Sequence, residues 1–324
     1  APETRARVQA VVAKLDYAPN ALARSLATRR APIIAAIVHD ISDPYFGEIT
    51  RGIESVAASK NHLVMVCNWL QDPERLLSYL RVLRTMRVAG VIFCGSGLTQ
   101  DSPLHDEIAR QTEALRSYGT RILALAPQTV PMPAVTVDNR HAAELAVDHL
   151  IEHGHRRIGH LAGPRTLLTA QHRYEGYLEA MRRAGVMGEE GWVEPAGFGP
   201  SDGYDGTLRL LARAPDLTAI VAANDQAAIG ALAAAARLGR RVPGDLSLIG
   251  IGDIPSLAFM QPPLTEVAVP LRSLGEQGTA LLLERGRWKE DNGREPTFLP
   301  VRLVSRQSVS PPNRSGTSVE RKNA

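Results

Sequence analysis

From residue 33 onward, short apolar runs alternate with amphipathic stretches of helical period, and this alternation narrows the chain to one class of fold. The runs IIAAIV, HLVMVC, AGVIFC and RILALA are separated by expected helices over 45–60, 72–87 and 103–119. The pattern restarts at RIGHLA and continues through a helix over 171–185, WVEPAGF, a helix over 203–214, AIVAAN, a helix over 224–238 and LSLIGI. A helix between successive strands provides the crossover that parallel pairing requires, so the expected class is α/β with parallel sheets covered on both faces. Two such units in tandem predict two similar lobes rather than one large sheet.

At 324 residues the chain is long enough for two domains with cores of their own. No apolar run approaches the roughly 20 residues of a membrane span, which excludes the membrane class. The opening APETRARV is charged rather than leader-like, and the two cysteines, Cys67 and Cys94, are too few for a disulfide framework. A cytoplasmic location is expected. Charge is unevenly placed: residues 1–31 hold six basic and two acidic side chains, while the remainder is nearly balanced. A cationic end on a neutral body is the footprint of a module for nucleic acid or an anionic surface, although a solvated helix face carries the same signature.

Within that end, Val8, Val11, Val12 and Leu15 fall on one helical stripe with basic residues opposite, and Pro2 suits a first helical turn. Asn20 can cap a second helix, ALARSLAT, which is shorter than the roughly 12–15 residues an isolated helix needs in water. It therefore needs a partner to form. The proline-rich stretches PQTVPMPAVTVDN and QPPLTEVAVP read as crossings between the lobes, and residues 309–324 have little to bury and read as a disordered tail.

Ligands of open parallel sheets bind beyond the carboxyl ends of the strands. Loops there contain His39-Asp40, Gly95-Ser96-Gly97, Ala162-Gly163-Pro164, Asn224-Asp225 and Gly252-Asp253. Tyr45, Phe46 and Phe198 also follow strands, where rings can stack on a flat ligand, and Arg173 at a helix start can fork onto a carboxylate or two hydroxyls. Each ring taken singly reads more naturally as core. No enzyme is expected: the chain has no phosphate-binding Walker loop, no HExxH and no GxSxG, and Gly95-Ser96-Gly97 supplies only two glycines of a dinucleotide fingerprint. His149, His153 and His155 cluster at a helix end, but no third ligand with a second shell can be named, so neither metal nor cofactor is expected.

The stretches PETRARVQAVVAKLDYAPNALARSLAT, DISDPYFGEITRGIE, VDNRHAAELAVDHLIEHGHRRIGHLAGP, RYEGYLEAMRRAG, AIVAANDQAAIGALAAA and RVPGDLSLIGIGDIP closely resemble the LacI/GalR family of bacterial transcriptional regulators, in order, over residues 1 to about 308. The resemblance implies a dimeric, effector-controlled repressor with a helix-turn-helix head, a hinge helix and a two-lobed body like a type I periplasmic binding protein. The division it implies is a partial head and hinge helix over 1–30, one lobe from 31–133 with about 269–298, and a second from 134–268 with about 299–308. The chain starts at what resembles the third helix of the head, so this piece is expected to bind operator DNA poorly. Leu26 matches the family's minor-groove wedge, and Arg5, Asn20 and Arg24 join it as expected DNA contacts.

The implied effector-binding residues are His39, Asp40, Tyr45, Phe46, Thr169, Arg173, Phe198, Asn224 and Asp225. Sugar-binding members place aspartates where this chain has Ala126 and Gly252. Loss of two acceptors beside a retained guanidinium points to an effector that is anionic or poorer in hydroxyls than a neutral sugar. The expected partners are thus operator DNA, a small-molecule effector and a second copy of the chain, with no membrane. A solute-binding protein for uptake shares this body and is the alternative.

Overall fold

The computed structural model describes residues 31–186, 190–284 and 295–313, together with Thr4, Arg7 and Val11, which are helical and exposed. The expected DNA contacts Arg5, Asn20, Arg24 and Leu26, and the expected hinge helix, lie outside the described residues. So do residues 314–324 of the expected tail.

The first sheet has the order β2-β1-β3-β4 and is parallel throughout: β1 (Ala31–Val38), β2 (Leu63–Asn68), β3 (Val88–Phe93) and β4 (Arg121–Ala124). Helices α1 (Pro44–Ser59), α2 (Pro73–Met86) and α3 (His105–Ser117) cross over between these strands. The short β5 (Val135–Thr136) pairs with β11 (Thr297–Phe298) beside the lobe crossings. The second sheet comprises β6 (Ile158–Ala162), β7 (Val193–Pro195), β8 (Ala219–Ala222), β9 (Ser247–Gly252), β10 (Thr265–Ala268) and β12 (Arg302–Val304), in the order β12-β10-β9-β8-β6-β7. All its pairs are parallel except β12 against β10. Its helices are α4 (Asn139–Glu152), α5 (Leu168–Arg183), α6 (Pro200–Arg213) and α7 (Asp225–Arg237), while α8 (Leu271–Leu283) returns to pack on α1 over the first sheet. The expectation of two parallel α/β lobes is met. No described helix is long and apolar enough to cross a membrane.

Two sequence readings are corrected. QPPLTEVAVP is more than a crossing: Thr265–Ala268 is β10, buried between β9 and β12, because its four residues lose all or nearly all exposure to water on both faces. The start of the expected tail is also anchored. His155 and the Ser247 hydroxyl both bond to the Ser310 carbonyl, at 2.9 and 3.0 Å, and Val309 packs against the core beside them.

The helix starts that face the cleft are fixed by short polar side chains. Asp43 and Asp138 accept from the first free backbone N–H groups of α1 and α4 at 3.0 Å, and Asn224 does the same for α7. Helix pairs meet on glycines. A Cβ at Gly52 or Gly275 would enter the backbone of the partner helix in the α1–α8 pair, and one at Gly176 would enter that of α4. Gly203 and Gly230 play the same part between α6 and α7. Backbone-to-backbone approach of this kind lets Ala-rich α7 bury one face against β8 and β9.

Candidate functional site

The carboxyl ends of β1, β3, β4, β6, β8 and β9 converge on the cleft between the lobes. A cavity of about 440 Å³, counting its open mouth, is lined from the first lobe by His39, Asp43, Tyr45, Phe46, Cys94, Gly95, Ser96 and Ala126. From the second lobe it is lined by Thr169, Arg173, Phe198 and Asn224. Of the nine residues expected at an effector site, seven therefore meet at one cavity. Asp40 does not: its carboxylate accepts from Ser42 N–H at 2.9 Å and shapes the turn into α1. Asp225 stands behind the wall, 1 % exposed, because Asn224 takes the cap position and turns the next residue inward.

Arg173 organises the second-lobe wall. It is 2 % exposed, its Nε donates to Asn139 Oδ1 at 3.0 Å, and one terminal nitrogen reaches the carbonyls of Ala223 and Ile251 at the ends of β8 and β9. Tyr45 of the first lobe lines the same cavity. A cross-cleft contact runs from Gln226 Nε2 to Asp43 Oδ1 at 3.4 Å. Burial is the main cause that pulls Arg173 below its ordinary pKa and pushes Tyr45 up to about 12, so the pair meets as cation and neutral phenol.

His39 is a wall rather than an acid or base. Its Nε2 lies 2.9 Å from the Ser96 carbonyl, so that nitrogen carries the proton, and the ring packs against Phe46 and edge-on to Trp69 with centroids 5.5 and 5.1 Å away. Burial holds its pKa down to about 4, and does the same at His160 under the second lobe, where Nδ1 donates to the Val221 carbonyl at 3.0 Å. Cys94 is likewise pushed far above the usual thiol range by burial, which leaves no thiolate nucleophile in the cleft.

The histidines predict acid lability. A base whose folded pKa is depressed binds fewer protons folded than unfolded, so its contribution is intact above about 6.5 and is lost as pH falls towards 4. Urea unfolding at pH about 7 and about 4.5 is expected to show a loss on the order of 2 kcal/mol from His160 alone. His160→Phe should shrink the difference by that amount; an unchanged difference would show that His160 is charged in the fold.

Sequence reasoning missed Asp43, Asn139 and Glu266. Asp43 has a local signal, an aspartate ahead of a proline at a helix start. Asn139 and Glu266 have none, since only the lobe's closure brings them near Arg173. The clustered histidines serve structure: His153 Nδ1 bonds the His149 carbonyl at 2.8 Å and His155 bridges Thr218 and Ser310. Among the described residues no group of three or more His, Cys, Asp or Glu side chains is placed to hold a metal ion.

Comparison with known proteins matches residues 147–309 to the periplasmic binding protein-like domain family. Among curated proteins, the chain is 33% identical to the HTH-type transcriptional repressor PurR of Mannheimia succiniciproducens over 312 residues, covering 95% of this chain and 90% of the relative. It is 33% identical to the HTH-type transcriptional repressor CytR of Escherichia coli, covering 87% and 81%. The lac repressor dimer bound to operator and an anti-inducer superposes with a TM-score of 0.80 at 25% identity, covering 96% of this chain and 91% of that one.

Proposed function

The chain belongs to the LacI/GalR family of transcriptional regulators and is an effector-responsive repressor, and from that premise we propose that its effector is a flat metabolite poor in hydroxyl groups, held between Phe46 and Tyr45 of one lobe and Phe198 of the other. One observation carries this reading: the cleft offers aromatic faces from both lobes, while Ala126 supplies no acceptor and the space beside Gly252 is filled by the Asp225 carboxylate. A hydroxyl-rich ring would lose hydrogen bonds to water without recovering them there. Thr169 and Asn224 then contact the effector's edge. Arg173 orients it, and His39 packs as the cleft's rigid back.

The lobe division at 133/134 and 268/269 suits this function, since the effector's contacts come from both sides of it. A change of lobe angle would pass to the head through the segment before β1. We take the working unit to be a homodimer; edge strand β2 leaves Leu63 at 72% exposure and Val66 at 38%, apolar surface available to a second copy. Arg5, Asn20, Arg24 and Leu26 are proposed as the operator contacts. A binding role, rather than catalysis, agrees with a cleft in which both the histidine and the thiol are held uncharged.

A thermal-shift screen of metabolites tests the reading. Flat, hydroxyl-poor compounds at about 100 times their Kd are expected to stabilise by roughly 2.7 kcal/mol, several degrees in melting temperature. Larger shifts with neutral monosaccharides than with any flat compound would overturn it.

A further inference from the structure

Behind Arg173 lies a second feature, a pair of buried carboxyls. Glu266 on β10 is fully buried and Asp225 at the start of α7 is 1 % exposed. Space for both is cut out of the neighbouring strand. A Cβ at Gly250, the cross-strand partner of Glu266, would run into the Glu266 carboxyl, and one at Gly252 would run into that of Asp225. Asp225 Oδ1 accepts from Asp253 N–H at 2.8 Å, but Asp225 Oδ2 and both Glu266 oxygens have no donor among the described residues. The two carboxyls lie over one face of β9, against Gly250 and Gly252, which are two residues apart on that strand. Two neighbouring carboxylates are all acceptor, so the pair is satisfied only when one of them holds a proton.

We propose that the Asp225–Glu266 pair sets the charge selectivity of the effector site: the two carboxyls share one proton, and the single negative charge left on the pair cancels Arg173 inside the protein and leaves the cleft selective for uncharged effectors. This rests on the reading of the cleft as the effector site and adds the charge of what binds there.

The surrounding groups agree. Arg173, facing the pair from α5, has no carboxylate within ion-pair distance among the described residues, so its charge is balanced through space rather than by a direct bridge. Asp253 is neutralised by Arg306 at 2.5 Å on the far side. His160 beneath is uncharged and across the cleft Tyr45 is neutral, while Asp43, whose carboxyl burial raises above its usual range, adds negative charge when ionised and so also disfavours an anion. Burial raises both carboxyls above their usual range, and the Asp225 charge raises Glu266 further, as expected of two buried acids that do not both ionise.

Carbon-13 NMR of the side-chain carboxyls in the intact protein reads the pair directly. One proton on the pair just above neutral pH is the expected result; two protons or none would overturn the proposal, because Arg173 would then be uncancelled or overbalanced. Selectivity is read with benzoate and benzamide as probes. Glu266→Gln mimics the protonated partner and is expected to keep the wild-type rejection of benzoate while removing the pair's titration. The double variant Asp225→Asn, Glu266→Gln leaves Arg173 unbalanced and is expected to gain benzoate affinity by about tenfold or more. Absence of that gain, or wild type that already takes benzoate as well as benzamide, would overturn the proposal. If the double variant does not fold, the wild-type carboxyl titration decides. A metabolite screen that stabilises nothing would count against the effector site and leave the carboxyl result standing.

Discussion

Arg173→Ala is expected to destabilise the two-lobed body by about 3–5 kcal/mol and to abolish stabilisation by any metabolite that binds the cleft. The size follows from what the side chain does: it is 2 % exposed and donates to Asn139 and to the carbonyls of Ala223 and Ile251. Alanine leaves those acceptors buried without donors and removes the cation that stands against Asp225 and Glu266. Combining Arg173→Met with Asp225→Asn and Glu266→Gln should recover much of the stability, since the buried charges then leave together. Effector binding should not return. Urea unfolding checks both statements; a loss below about 1 kcal/mol for the single variant would mean the guanidinium is solvated in the native protein.

Gly230→Val is the second large effect, expected at about 3 kcal/mol or more. A Cβ at Gly230 would overlap the Pro200 carbonyl and crowd the backbone of Tyr204, and Gly203 meets Ala227 in the same way from the opposite helix. Backbone on both sides cannot rotate aside as a side chain would. The helices must therefore separate, which carries Asn224 away from the Phe198 carbonyl it holds at 2.9 Å and opens the second-lobe wall. Unfolding measurements should show the stability loss, and weakened metabolite binding at temperatures where the variant is still folded. A Gly230→Ala variant with wild-type stability would contradict the close approach.

These two positions also show what a sequence can and cannot reveal. The strand–helix alternation is legible because period-2 and period-3.6 apolar patterns depend only on local spacing, and the Asp43, Asp138 and Asn224 helix starts depend only on neighbouring N–H groups. Arg173 was legible as a site residue because it lies on the helix that follows a strand, although that helix begins at Leu168 rather than at 171. That one of its terminal nitrogens is held by the protein's own carbonyls was not, since Ala223 and Ile251 are 50 and 78 residues away. Ala126 and Gly252 suggested an electropositive cleft, but the counter-charge sits on a pair of acids, Asp225 on α7 and Glu266 on β10, and β10 reads in sequence as a proline-flanked crossing. Apolar composition alone cannot distinguish a short buried strand from a connector when its centre is a glutamate.

The account's central claim is that an effector between the lobes and an operator at the head act on one equilibrium. Its most direct test takes the full-length repressor with a metabolite that stabilises it. Operator affinity is measured with and without the metabolite, and metabolite affinity with and without operator. Linkage requires the two ratios to be equal, and the account predicts a shared factor of roughly 5–150 that disappears in Arg173→Ala. A factor of one, with the metabolite bound in the cleft and operator affinity unmoved, would contradict it.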